Sequence, residues 1–207
     1  LFGAYLLLII IKMPWPVALF GSIAFGFSTY LLIIIQVGHN TKALAISFFP
    51  FVIAGIIILF QKRWFLGVTI TCLALGMQIR ANHYQMTYYL IMLMGVFVLF
   101  YGYHAIKQRH GKSFLMSLLA LTASGLIALG FNSTPLLATA EYADFSTRGQ
   151  SELKLNIDGS PKEQSTGLDY NYITEYSYGI FESLNLIVPR IQGGGSSEDL
   201  GTDHGVY

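Results

Sequence analysis

Apolar residues fill the first 131 positions in blocks, separated by short polar connections. The blocks cover 17–37, 43–60, 64–80, 86–104 and 113–131, with a shorter one at 1–11. A helix needs roughly 17–25 mostly apolar residues to cross a bilayer, so five blocks predict complete spans and the first predicts the end of another. None carries a polar stripe of helical period, as befits helices surrounded by lipid or by other helices. Pro50 falls inside the 43–60 block, where a kink is tolerated if neighbours satisfy the freed carbonyl. Small residues recur four apart at Ser22/Gly26 and Ala120/Ser124/Ala128, which lets helices approach closely.

The pattern changes after Phe131. Asn132-Ser133-Thr134-Pro135 reads as a break and restart, with Thr134 as N-cap and Pro135 as the first helical residue. A short surface helix is expected over 136–145, with Asp144 and Arg148 spaced for an i,i+4 pair. Residues 146–170 are polar and rich in turn signals around an alternating stretch at 151–157, which predicts a hairpin or loop excursion. Ile173, Tyr176, Ile180, Leu184 and Ile187 recur at steps of three or four, predicting an amphipathic interfacial helix over 172–188 that ends at Pro189. A Gly-rich loop, Gly193-Gly194-Gly195, follows.

Charge sharpens this division. The 207 residues are 54% hydrophobic and 11% charged, with net charge +1. Residues 1–140 hold eight Lys/Arg and no Asp or Glu, for +8; residues 141–207 hold four Lys/Arg and all eleven acids, for −7. Soluble domains carry roughly 25% charged residues, so an ordinary soluble enzyme is excluded. The expected fold class is an all-α polytopic membrane protein. Its helical bundle (1–133) has about five complete spans plus one truncated, and a mixed extracytoplasmic region (134–207) follows. The chain opens inside an apolar block without a basic leader, so it reads as an internal fragment rather than as a signal peptide. The single cysteine, Cys72, excludes a disulfide framework or a Cys-based metal site.

Lys12, Lys62, Arg63, Lys107, Arg109 and Lys112 fall at alternate connections, while the intervening ones carry only Lys42 and Arg80. Basic loops mark the cytoplasmic side, so 38–42, 80–85 and the residues after about 132 are expected to face outward. The basic residues are thereby split across the membrane, leaving no stripe for nucleic acid.

Four outward clusters can carry chemistry. Arg80, Asn82 and His83 put a guanidinium, an amide and an imidazole in one connection, suited to gripping a phosphate at headgroup depth. The same residues also fit a snorkelling Arg beside an aromatic belt of Tyr84, Tyr88 and Tyr89. His39 and Lys42 can meet an anionic group, or can simply polarise a turn. Glu141, Tyr142 and Arg148 supply the first carboxylate beside a phenol and a guanidinium; the acid can deprotonate a hydroxyl or hold a divalent cation. Glu175 and Tyr176 can line a sugar site or the wet side of a surface helix. His104 and His110, beside Lys107 and Arg109, read as interfacial positives.

The order Gly38-His39-Asn40-Thr41-Lys42, Ala81-Asn82-His83-Tyr84-Gln85, Ala140-Glu141-Tyr142, Ser146-Thr147-Arg148-Gly149 and Glu175-Tyr176-Ser177-Tyr178-Gly179 resembles YfhO-like bacterial membrane proteins, which look like GT-C-type glycosyltransferases. The resemblance implies a multi-pass enzyme of the bacterial cytoplasmic membrane. It would move a sugar from a polyprenyl-phosphate donor to a cell-envelope glycan or lipid acceptor on the outer face. Arg80, His83 and Arg148 would then hold the donor phosphate, Glu141 and Glu175 would serve catalysis, and His39, Lys42, Asn82, Tyr142 and Tyr176 would line the substrate. In that class the main base is a carboxylate in the first outer loop, and none precedes Glu141 here, so the base is expected upstream of this fragment and the fragment alone is expected to be inactive. Two other readings stand beside it. One is part of a lipid or glycan transporter or flippase, with a polar path along Gln36, Ser47, Thr69, Gln78 or Thr87; the other is a non-catalytic envelope assembly protein.

Overall fold

A computed structural model of the chain describes residues 1–144 together with Thr174, Ile180, Phe181 and Leu184. The chain forms two compact units, Leu1–Ala138 and Thr139–Tyr207. Among the described residues it is all-helical. The helices are α1 Phe2–Ile10, α2 Trp15–Gly26, α3 Thr29–Gln36, α4 Asn40–Ser47, α5 Phe49–Phe60, α6 Trp64–Arg80, α7 Tyr84–Lys107, α8 Gly111–Phe131 and α9 Ser133–Asp144.

Every apolar block is therefore helical, and four segments are long and apolar enough to cross a membrane: Trp15–Gln36, Asn40–Phe60, Tyr84–Lys107 and Gly111–Phe131. The fifth block, α6, has 17 residues. At 1.5 Å per residue it is about 26 Å long, somewhat short of a ~30 Å hydrocarbon core. Of the five blocks expected to span completely, four are long and apolar enough to do so, and α6 is shorter.

Two blocks break internally. The 17–37 block divides at Phe27-Ser28, where Ser28 turns extended (ψ 140) ahead of α3. Gly26, Ser28 and Thr29 are weak helix formers in succession, and such positions are where long helices kink. The 43–60 block divides at Phe48, and Pro50 lies in the first turn of α5, where its missing N–H has no helical role. After α8 the restart differs from expectation: α9 begins at Ser133, so Thr134 is not its N-cap and Pro135 is its third residue. Asn132 makes the break instead. Its carbonyl accepts from Leu136 N–H (3.0 Å), so the turn stays nearly continuous. In the distal region only four residues bear on the helix expected over 172–188. Thr174 is helical, but Ile180 is a turn residue and Phe181 and Leu184 are 3₁₀, so regular α-helix is interrupted there. The hairpin stretch, Arg148, Glu175 and Tyr176 lie outside the described residues.

Five of the connections close on one left-handed residue: Lys12 (φ 66°), Gly38 (84°), Lys62 (67°), Asn82 (56°) and Arg109 (56°). At Lys12, Gly38, Lys62 and Arg109 the next residue's N–H donates back five positions, to Leu8, Ile34, Ile58 and Ala105 at 2.8–3.2 Å. This is the Schellman closure, which satisfies carbonyls the helix end would leave unpaired. Three of those residues are cations at helix C-termini, where the carbonyl dipoles favour positive charge. The basic connections are therefore helix stops as well as topology signals.

The core sits on α5. Val52, Ile56 and Leu59 pack against Ala74, Leu75 and Ile79 of α6, Leu90 of α7, and Leu121 and Ala128 of α8. Half of the Asn40–Phe60 span is buried against 11% of Tyr84–Lys107, so the former is central and α7 peripheral. The α5–α6 hairpin is close because glycine meets backbone twice. A Cβ on Gly55 would lie 2.8 Å from Thr71 N, and one on Gly67 would lie 2.8 Å from Leu59 N. The expected small-residue contacts are present: Ser22, Ser124 and Ala128 are buried. On α7, by contrast, Tyr88, Ile91, Met92, Val96, Leu99, Phe100 and Ile106 are exposed. Such a continuous apolar surface exceeds what a monomer presents to water, and it suits lipid.

Candidate site at the Arg80 end of the bundle

The connection from α6 to α7 is held on both sides. Gln78 Nε2 donates to Thr87 Oγ1 (3.2 Å), whose hydroxyl donates to His83 O (3.4 Å), so the last turn of α6 is tied to the first of α7. On the other flank, Asn132 Nδ2 donates to Gly76 O (3.0 Å) and Ala128 O (2.8 Å), fixing the end of α8 to α6. Asn132 is buried, which explains why a polar side chain ends an apolar block: it joins two helices through their backbone carbonyls.

Beside the Asn132 tie, between α6 and the end of α8, lies a cleft of about 320 Å³ lined by Cys72, Leu73, Gly76, Met77, Arg80, Phe131 and Asn132. Its walls are mostly apolar and its one charged group is the exposed Arg80 guanidinium. Gly76 leaves the wall open, since a Cβ there would meet only Asn132 Nδ2, at 3.8 Å. The cleft suits an amphiphile with an anionic head and an apolar body.

His83 shares the connection but is not on that wall. It is half-buried and its Nδ1 is enclosed without a hydrogen-bond partner among the described residues. Asn82, between the two, is exposed and left-handed. The α3–α4 connection comes close because Ala45 of α4 packs with Ala81 and Met86. Lys42, one turn before Ala45, folds back with its Nζ 5.4 Å from the centre of the Tyr30 ring, a cation–π contact. His39 is exposed.

The sequence-predicted residues thus divide three ways. Arg80, Asn82 and His83 share one connection, and α4, which carries Lys42, packs beside it. Glu141 and Tyr142 are exposed on the last turns of α9, within the Thr139–Tyr207 unit. Arg148, Glu175 and Tyr176 lie outside the described residues. Among the described residues there is no cluster of three or more His, Cys, Asp or Glu side chains able to hold a metal. Sequence reasoning missed Asn132 and Gly76 as parts of the cleft. The available signal was a lone Asn at the end of a long apolar block, which it read as a break.

The residues suggested for a polar path are dispersed. Gln36 and Thr69 are exposed, Ser47 and Thr69 donate to carbonyls of their own helices (Leu44 and Phe65), and Gln78 and Thr87 bond to each other. The chain matches no family model, no curated protein and no solved structure.

Proposed function

We propose that this chain is part of a multi-pass glycosyltransferase of the bacterial cytoplasmic membrane. It would transfer a sugar from a polyprenyl-phosphate donor to an envelope glycan or lipid on the outer face. The observation that carries the reading is the Arg80 cleft, an apolar slot at a helix end with one guanidinium at its rim. A polyprenyl chain lies against Leu73, Met77 and Phe131 while its phosphate meets Arg80. The guanidinium offers a planar fork of donors at headgroup depth, where few waters compete. The YfhO-like motif order adds the sugar chemistry: by that resemblance His83 and Arg148 join Arg80 in phosphate binding, Asn82 and Lys42 serve the substrate, and Glu141 and Glu175 serve catalysis. The outward orientation of the Arg80 end is supported by the excess of Lys and Arg at the opposite connections.

The carrier reading receives less support, because its candidate hydroxyls at Ser47 and Thr69 are spent on their own helices. The test is transfer of labelled sugar from a polyprenyl-phosphate donor to envelope extract by the full-length protein that contains this chain, in membranes. Arg80→Ala should lower transfer by roughly 10–100-fold, the loss of about 1.5–3 kcal/mol expected for a charge-assisted bond, while Arg80→Lys keeps part of it. Gly76→Leu, which fills the slot, should raise the donor KM. Full activity in both Arg80→Ala and Gly76→Leu would remove the cleft from the mechanism. Absence of any transfer by the unaltered full-length protein would sink the enzyme reading.

A further inference from the structure

The opposite end of the bundle holds a second, larger pocket of about 470 Å³ between α5, α7 and α8. Its cationic and imidazole groups are Lys62, His104 and His110, and its floor is aromatic. The Phe60 ring stacks on Tyr101 (centroids 4.3 Å apart, planes 8° from parallel) and on Phe114 (5.7 Å). Gly102 admits the Phe114 ring, whose Cζ would lie 3.3 Å from a Cβ at that position. His104 is held edge-on to Phe100, 4.6 Å between centroids. One wall is pinned by Ser117, which accepts from Trp64 Nε1 (3.1 Å) and donates to Leu59 O (2.8 Å). Ser113 brings the first turn of α8, and with it the positive end of that helix's dipole, to the same space.

We propose that this pocket binds the phosphate headgroup of an anionic glycerophospholipid. Residues 1–140 contain no carboxylate, so the positive charge here has no counter-ion within the bundle sequence. Basic pockets between helices at the cytoplasmic surface are where anionic headgroups settle. The volume lies within the range of small-molecule sites, roughly 300–1,000 Å³. A lipid is the occupant rather than free phosphate because the rim continues into apolar surface. Phe100 lines the pocket yet is exposed, and Leu99 and Ile106 beside it are exposed too, so acyl chains have a surface to lie on. The site does not depend on the glycosyltransferase reading, and either can fail while the other stands.

The test uses the full chain in mild detergent, in a Trp15→Phe background so that Trp64, bonded to the pocket wall, is the only fluorophore of its kind. Bound lipid is counted by native mass spectrometry with phosphatidylglycerol or phosphatidylcholine, and brominated phosphatidylglycerol is used to quench Trp64. Inorganic phosphate is the third arm. We expect phosphatidylglycerol to be retained in preference to phosphatidylcholine and to quench Trp64. Lys62→Gln should weaken retention about fivefold, the equivalent of roughly 1 kcal/mol for one basic group near a membrane surface. Adding His104→Gln and His110→Gln should erase the preference. Lys12→Gln, a basic-side cation outside the pocket, should retain it. Equal retention of the two lipids, equal losses in Lys12→Gln and Lys62→Gln, or displacement by inorganic phosphate without any lipid preference would overturn the proposal. Should the triple variant not fold, Lys62→Gln with unchanged helical circular dichroism decides between these outcomes.

Discussion

Gly67→Ala and Gly55→Ala test whether the α5–α6 hairpin is as close as its geometry indicates. At Gly67 a new methyl would sit 2.7 Å from Leu59 Cγ and 2.8 Å from Leu59 N; at Gly55 it would sit 2.8 Å from Thr71 N and 3.1 Å from Thr71 Cα. Ordinary carbon contacts lie at ~3.5–4.0 Å, so each methyl falls short by most of an ångström. The obstacles include backbone, which cannot rotate away as a side-chain tip can. Relief requires the helices to separate around the buried residues Ile56, Thr71 and Leu75. Overpacking of this kind costs about 1–3 kcal/mol, against a helix-propensity gain for Gly→Ala of up to about 1 kcal/mol. A net loss of about 1–2 kcal/mol is expected for each. The double variant should lose less than the sum, since a hairpin opened for one methyl admits the other more easily. Gly95→Ala and Gly125→Ala are the controls, because nothing lies within 4 Å of their added methyls and only the propensity gain remains. Unfolding of the full chain by SDS in mixed micelles, followed by far-ultraviolet circular dichroism, reads all five variants. If Gly67→Ala and Gly55→Ala unfold with Gly95→Ala, at or above the parent midpoint, the close crossing is wrong.

Asn132→Ala removes the donors to Gly76 O and Ala128 O and should cost about 1–2 kcal/mol in the same titration, with faster proteolysis after Phe131. Ser117→Ala strands the Trp64 indole N–H and should cost about 1–3 kcal/mol; Trp64 emission in the Trp15→Phe background should shift to the red. Asn82→Gly relieves a left-handed residue and should stabilise by up to about 1 kcal/mol, whereas Asn82→Val at φ 56° should destabilise by about 1–2 kcal/mol. Unchanged midpoints for the Asn82 pair would mean that the turn at that position is not left-handed.

Helix positions were legible because an apolar block of span length has few alternatives once carboxylates are absent from 140 residues. The interruptions were less legible. Pro50 announced a break through its missing N–H, but Phe27-Ser28 did not, since its signal is only a succession of weak helix formers. Thr134-Pro135 carried the cap signature and lost to Asn132, whose side chain gains two carbonyl acceptors when the helix resumes at Ser133. The left-handed turn residues Lys12, Lys62 and Arg109 were invisible, because nothing in a lysine or arginine announces positive φ as Gly38 does. For the site, Arg80, Asn82 and His83 share one connection by sequence continuity, but only Arg80 lines the cleft. The pairing of Arg80 with Asn132 was beyond reach, since it depends on how α8 crosses α6.

The two pockets share one physical design and differ in what it serves. Each joins apolar walls to cationic or imidazole groups near a helix end: Arg80 in one, and Lys62, His104 and His110 in the other. With no Asp or Glu in residues 1–140, neither has an acid of the bundle sequence to neutralise it. An uncompensated cation at headgroup depth selects anionic amphiphiles, because only they supply charge and apolar body together. The same absence separates binding from catalysis. Carboxylate acid–base chemistry needs a group that residues 1–140 do not carry, so within this sequence only residues from Glu141 onward can supply it. Under the proposed glycosyltransferase reading, substitutions at Arg80 should act on donor affinity, and substitutions at Glu141 and Glu175 on turnover. That split in kinetic effect would be hard to explain if the bundle itself carried the chemistry.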